Sequence, residues 1–203
     1  MRSALLALAA ILALAGCEFY TPASPDEIAR ARYVSTEPPS ITLMSMVNAR
    51  SGKSAHAGLL INGEEQVLFD PAGTFTHPEL PRAGDVHFGM TPRFVDYYER
   101  YHARFDYYVE AQQVPVSRAE ADRILAAAEA HGKSMKMTCA LAIADVLHPV
   151  PRFADAPSSV YPEALRAYFA GLPGVEAHLV TDSDVGKNNA WEGPGAVPGA
   201  PPS

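Results

Sequence analysis

The chain has 203 residues, of which 48% are apolar and 19% charged, and its formal net charge is −7 at pH 7. That length suits a single domain with a sizeable core. The acidic balance, with no basic stripe anywhere along the chain, argues against nucleic acid as a partner.

At the N-terminus, Arg2 supplies one positive charge and residues 4–14 are uninterruptedly apolar. Eleven residues are too few for a membrane span, which needs about 20. A basic start, a short apolar run and small residues is the layout of a signal peptide, and such a segment is set aside from the fold. The run ends in Leu14–Ala15–Gly16–Cys17, which resembles a bacterial lipobox. The resemblance implies cleavage before Cys17, lipid on its sulfur and acylation of the new amine. Two or three acyl chains, each CH₂ contributing about 0.8 kcal/mol, give a lasting anchor. Glu18 follows the cysteine. By the enteric sorting rule, the absence of Asp there favours the outer over the inner membrane of the bacterial cell envelope, with the domain facing the periplasm. No second apolar run is long enough to span a membrane.

The expected organisation is a signal peptide over 1–16, a lipidated N-terminus and tether over 17–40, a folded domain over 41–182 and a disordered tail over 183–203. The tether reading rests on four prolines and few apolar residues in 18–40, the tail reading on Gly, Pro and Ala. Strands are expected over 41–48 and 54–61, then a turn at Asn62–Gly63 and a third strand over 66–70. Residues 71–91 read as a loop. Thr91–Pro92 opens a short helix, Thr capping and Pro at the first helical position. A strand over 105–116 follows. Ser117 and Glu120 form a capping box for a helix that Gly132 ends near His131. A further helix spans about 138–147, and a last helix (162–169) and strand (175–181) close the domain. The sum is an α+β fold, a small antiparallel sheet packed on helices.

If Cys17 carries lipid, Cys139 has no partner for an intramolecular disulfide, and a leftover thiol in an exported protein is reactive, paired between chains, or simply buried. Cys139 sits at the start of the apolar segment 139–147, with Thr138 as candidate cap. A helix N-terminus carries about half a positive charge and unpaired amide donors, which favour thiolate and can hold an oxyanion. His56 lies among Ser54, Ala55, Ala57 and Gly58, where a pure core strand would carry Val or Ile. The small neighbours leave room for a ring and a substrate. The remaining histidines (77, 87, 102, 131, 148, 178) show no metal-ligand spacing, and neither a metal nor a cofactor is expected. The tyrosines between 97 and 108 read mostly as packing, with a few available to line a groove.

Together, S-x-H-A-G-L-L-I-N-G (54–63), a strand ending Phe69–Asp70 and T-C-A-L-A-I-A-D-V-L (138–147) resemble the circularly permuted papain-like fold. That group includes NlpC-type, YiiX-like and lecithin retinol acyltransferase-like enzymes. In its permuted members the histidine strand precedes the cysteine helix, as here, and the resemblance covers roughly residues 41–150. It implies Cys139 as nucleophile, His56 as base and a third polar residue on the next strand, for which Asp70 fits best, with His77 and His87 as substitutes. A two-residue Asn62–Gly63 turn would set Asp70 opposite Ala55, pointing away from His56. A three-residue loop, or a bulge before Asp70, restores the pairing. Residues 70–73 can equally be only a turn.

The expected function is a membrane-anchored thiol hydrolase or acyltransferase working through an acyl-enzyme, on cell-wall (peptidoglycan) peptides or on acyl lipids. The alternatives are a non-catalytic envelope lipoprotein that binds peptidoglycan or a protein, and transient disulfide pairing through Cys139.

Overall fold

The computed structural model describes residues 21–181. The signal peptide, Cys17 and the 183–203 tail lie outside the described residues. Among the described residues no helix is long and apolar enough to cross a membrane.

The domain is α+β. Among the described residues seven strands form one antiparallel sheet in the order β4-β5-β3-β2-β1-β6-β7, comprising β1 (Ser40–Asn48), β2 (Ser54–Asn62), β3 (Gln66–Phe69), β4 (Arg82–Ala83), β5 (Val86–His87), β6 (Tyr107–Pro115) and β7 (Glu176–Val180). The helices are α1 (Pro25–Ala31), α2 (Pro92–His102), α3 (Arg118–His131), α4 (Cys139–Leu147) and α5 (Pro162–Ala170). Central β1 is covered on both faces. Its run ITLMSMV is therefore buried throughout, where a half-exposed strand would alternate.

Alternation then decides which side chain meets which layer. Ile41, Leu43, Ala57, Leu59 and Ile61 face α3, α4 and α5, whose Ile124, Ile143, Val146 and Leu165 complete that core. Met44, Met46 and Leu68 face the other way, against Phe94, Tyr98 and Tyr101 of α2. The spacing of those three aromatics, four and then three residues, puts them on one helix stripe. His56 and Gly58 share the α2 side.

The capping box at Ser117 and Glu120 forms on both arms, and Gly132, at φ 76°, ends α3. An equivalent box at Ser24 and Glu27 starts α1 inside the segment read as a tether. The tether reading is corrected from Thr21 onward. Ala23 N–H donates to the Arg82 carbonyl and the Tyr33 carbonyl accepts from Gln66 N–H, so this segment is docked on the domain.

The loop expected over 71–91 contains the small β4–β5 hairpin. Its turn holds the segment before α4. Asp85 Oδ2 accepts from Ser134 N–H at 2.7 Å, Asp85 N–H donates to the Gly132 carbonyl, and Arg82 pairs with the other Asp85 oxygen. At the opposite side, Glu163 of α5 accepts from Ser54 N–H at 2.9 Å, and Arg166 bridges Glu163 and Glu110. The start of β2 is thereby tied down two residues before His56.

Candidate active site

The β2–β3 connection determines which way Asp70 points. Asn62 pairs with Gln66 and Leu59 with Phe69, so the loop is the three residues Gly63, Glu64 and Glu65. The two-residue turn is corrected. Asn62 stays in the strand because its amide donates to the Glu37 and Pro38 carbonyls, and the loop is held by Glu64 N–H on Asp122. Continuing that register sets Asp70 beside Gly58, on the face of His56.

A second irregularity aims the histidine. Met46 pairs with His56 but Val47 pairs with Ser54, leaving Ala55 as a bulge. Bulges re-aim side chains in this way beside functional sites, and here the Ser54 hydroxyl braces it by donating to the His56 carbonyl at 2.9 Å. His56 Nε2 meets Asp70 Oδ1 at 2.7 Å. The same Asp70 oxygen accepts from the Tyr98 hydroxyl at 3.0 Å. Asp70 and Tyr98 are fully buried. Two glycines make this packing possible: a Cβ on Gly58 would overlap the Tyr98 hydroxyl, and one on Gly73 would overlap the Asp70 carboxylate.

The thiol arrives from the other layer. β3 ends opposite Leu59, so among the described residues the outer edge of β2 before that point carries no strand. The N-terminus of α4 comes to this edge, where the His56 ring and the Ala57 and Ala140 amides act on the Cys139 sulfur and favour its thiolate. With Nε2 committed to Asp70, Nδ1 is the ring atom left for sulfur. Thr138 does not cap the helix. Its φ of −111° and ψ of 18° are not cap geometry, and its hydroxyl donates to the Met135 carbonyl instead. The helix's own bonding starts with Ala142 N–H to the Thr138 carbonyl, which leaves the earlier amides for the sulfur or for a ligand.

The three groups shift one another. Burial opposes the charged His56 ring, but the Asp70 charge and hydrogen bond, with help from Cys139, outweigh it and push the imidazole up to about 10. Burial likewise raises Asp70, yet the imidazolium holds its carboxyl far below the usual range. For Cys139 burial is again the largest single influence and raises the thiol, while His56 and the two backbone amides together bring it below its ordinary value. The arrangement therefore favours a thiolate–imidazolium pair braced by a carboxylate. Tyr98 is driven up by burial and by Asp70, so it remains a neutral donor.

The substitutes for Asp70 sit elsewhere. His87 is fully buried, its two ring nitrogens have no hydrogen-bond partner among the described residues, and burial lowers it to about 4. His77 packs on Phe94 and Tyr97. Tyr98 and His102 were not singled out from the sequence. His102 donates from Nδ1 to the Tyr98 carbonyl at 3.0 Å and its ring lies 6.0 Å from that of His56. Nothing local to their sequence separates them from the packing aromatics around them.

The His56 side chain is 21% exposed and faces a cavity of about 410 Å³ that Met46, Ala55, Ala72, Tyr101 and His102 help to line. Among the described residues, no cluster of three or more His, Cys, Asp or Glu could hold a metal ion. Comparisons with profiles of known families, with curated proteins and with solved structures give no match.

Proposed function

We propose that the chain is a lipid-anchored thiol hydrolase or acyltransferase of the permuted papain-like type, acting through Cys139, His56 and Asp70. One observation carries the reading: a carboxylate bonded to an imidazole at 2.7 Å, and a thiol whose acidity that imidazole raises, come together from three separate elements. The chain order, histidine strand before cysteine helix, supports the permuted topology.

The chemistry follows from the pair. The Cys139 proton resides on His56, and the thiolate attacks the carbonyl carbon of an amide or ester. A C–S bond forms and the carbonyl electrons move to oxygen, toward the positive end of α4. As the tetrahedral intermediate collapses, His56 gives its proton to the departing amine or alcohol and a thioester remains. Water, or another nucleophile in the transferase case, then loses a proton to His56, attacks the thioester and expels Cys139 as thiolate. Asp70 holds the ring and offsets its charge throughout.

A lipobox puts the domain beside peptidoglycan, so cell-wall peptides are the first substrates and acyl lipids the second. The test is intact-mass analysis of the full chain incubated with each class. An acyl adduct on Cys139, absent in Cys139→Ala, is expected, with released amine or lyso-lipid. No adduct and no product from either class, or from activated esters, would overturn the proposal. A non-catalytic binding lipoprotein then takes its place, a reading favoured by the low exposure of Cys139, only 5%.

A further inference from the structure

The cavity beside His56 is not uniform. Met46, Ala55, Ala72 and the Tyr101 ring make its walls largely apolar, and two charged residues, Arg104 and Asp106, stand in the same lining. Their situations differ. Asp106 is more than half exposed and has a cationic neighbour, Arg50, 3.7 Å away. Arg104 is 92% buried, being 8% exposed, and has no acidic partner among the described residues. Its Nη1 donates to the Arg100 and Ala103 carbonyls at the end of α2, and its guanidinium lies over Tyr101 at 6.0 Å. Its Nε is buried without a hydrogen-bond partner among the described residues.

A guanidinium cannot discharge by losing a proton. A buried, unpaired one is costly unless something anionic completes it. The two carbonyls fix the planar group in place while leaving part of its donor fork unspent. Fixed donors of this kind match a carboxylate in geometry and charge. A volume of about 410 Å³ is in the range of small-molecule sites, where a few polar groups orient an otherwise apolar ligand.

We infer that the cavity is the acyl-donor pocket and that Arg104 selects donors carrying a carboxylate on a short apolar spacer from the reacting carbonyl. This rests on the catalytic reading above for the reacting end. The anion site itself rests only on Arg104 and the cavity. Asp106, balanced by Arg50 at the rim, does not cancel the attraction, and neutral donors of equal length bind without the charge-assisted contact.

The test uses matched probes with the full chain in phosphatidylcholine nanodiscs. Wild-type protein is acylated with p-nitrophenyl half-esters of succinate, glutarate and adipate, and with neutral p-nitrophenyl esters of the same chain lengths. At the best length the carboxylate-bearing probe should acylate Cys139 about tenfold faster or more, the scale of one charge-assisted hydrogen bond. Arg104→Gln should bring that ratio toward one, and Arg104→Lys should retain part of it. Arg104 also ties down the end of α2, and the wild-type ratio needs no variant. Equal rates for the two series, or a ratio that survives Arg104→Gln, would overturn the inference while leaving the catalytic proposal standing. In parallel, binding of adipate against hexanamide to Cys139→Ala is followed by titration calorimetry. If no ester acylates the protein but adipate binds in an Arg104-dependent way, the anion site stands and the catalytic proposal falls. If adipate binds no better than hexanamide, the anion site falls as well.

Discussion

The two halves of the candidate site are built to different standards. The His56–Asp70 half comes from a strand and the residue just after another, fixed by a bulge, a three-residue loop, a buried tyrosine and two glycines that admit no side chain. The Cys139 half comes from a nine-residue helix led by a loop whose Met135 and Met137 are 77% and 85% exposed. Met137 also sits at φ 66°, a conformation that costs a non-glycine residue about 1 kcal/mol or more. Asp85, through Ser134 N–H, anchors the start of that loop, and its end runs into α4, most of whose apolar side chains are buried in the core. The contrast lies in what leads to each group: strands and buried side chains set His56 and Asp70, whereas Cys139 stands where a buried helix meets an exposed loop.

The comparison can be broken hardest at Asp70. Asp70→Asn removes the charge that raises His56 and should cut acyl transfer by about 10²–10⁴-fold, as loss of an orienting carboxylate does, read as kcat/KM on whichever ester or peptide is turned over. The same pair marks stability with pH. His56 is raised from 6.5 to about 10, so its contribution is whole below 6.5 and is lost as pH rises toward 10. Asp70 is lowered from 3.8, so its contribution is whole above 3.8 and is lost on acidification. Denaturant unfolding should show the gap between wild type and Asp70→Asn widest between those two values, 3.8 and 6.5, and narrowing on both sides.

Tyr98→Phe tests the packing side more gently. It removes one donor to a buried carboxylate, worth about 1–3 kcal/mol, and should lower turnover roughly tenfold while bringing the alkaline limb of the pH–rate profile to a new position. A tyrosine that served only as filler would change stability without moving that limb. The smallest effect is expected at the thiol's approach. Met137→Gly relieves the positive φ and should change stability by no more than about 1 kcal/mol, with thiol reactivity altered less than by any change around Asp70.

How much of this was legible in the sequence follows the same division. Cys139 at the head of an apolar segment and His56 among small residues are local patterns, and both stand where those patterns indicate. The Ser117–Glu120 box was also readable. The same signal at Ser24 and Glu27 was masked by its proline-rich surroundings. The direction of Asp70 was not readable, because loop length was decided by distant partners: Asn62 is kept in the strand by the carbonyls of Glu37 and Pro38, and Glu64 is held by Asp122. Tyr98 and Arg104 carry no sequence mark either. Each acquires its surroundings only when α2 is laid on the sheet.

The most direct test of the central claim is the pH dependence of Cys139 alkylation by iodoacetamide in the full chain, beside His56→Ala. If imidazole and thiol form the pair described, wild type reacts with an apparent pKa clearly below the 8.5 of a free thiol, and His56→Ala moves that value up by a unit or more. A Cys139 that stays inert until the protein unfolds, or that reacts with the same pH profile in both proteins, would contradict the account.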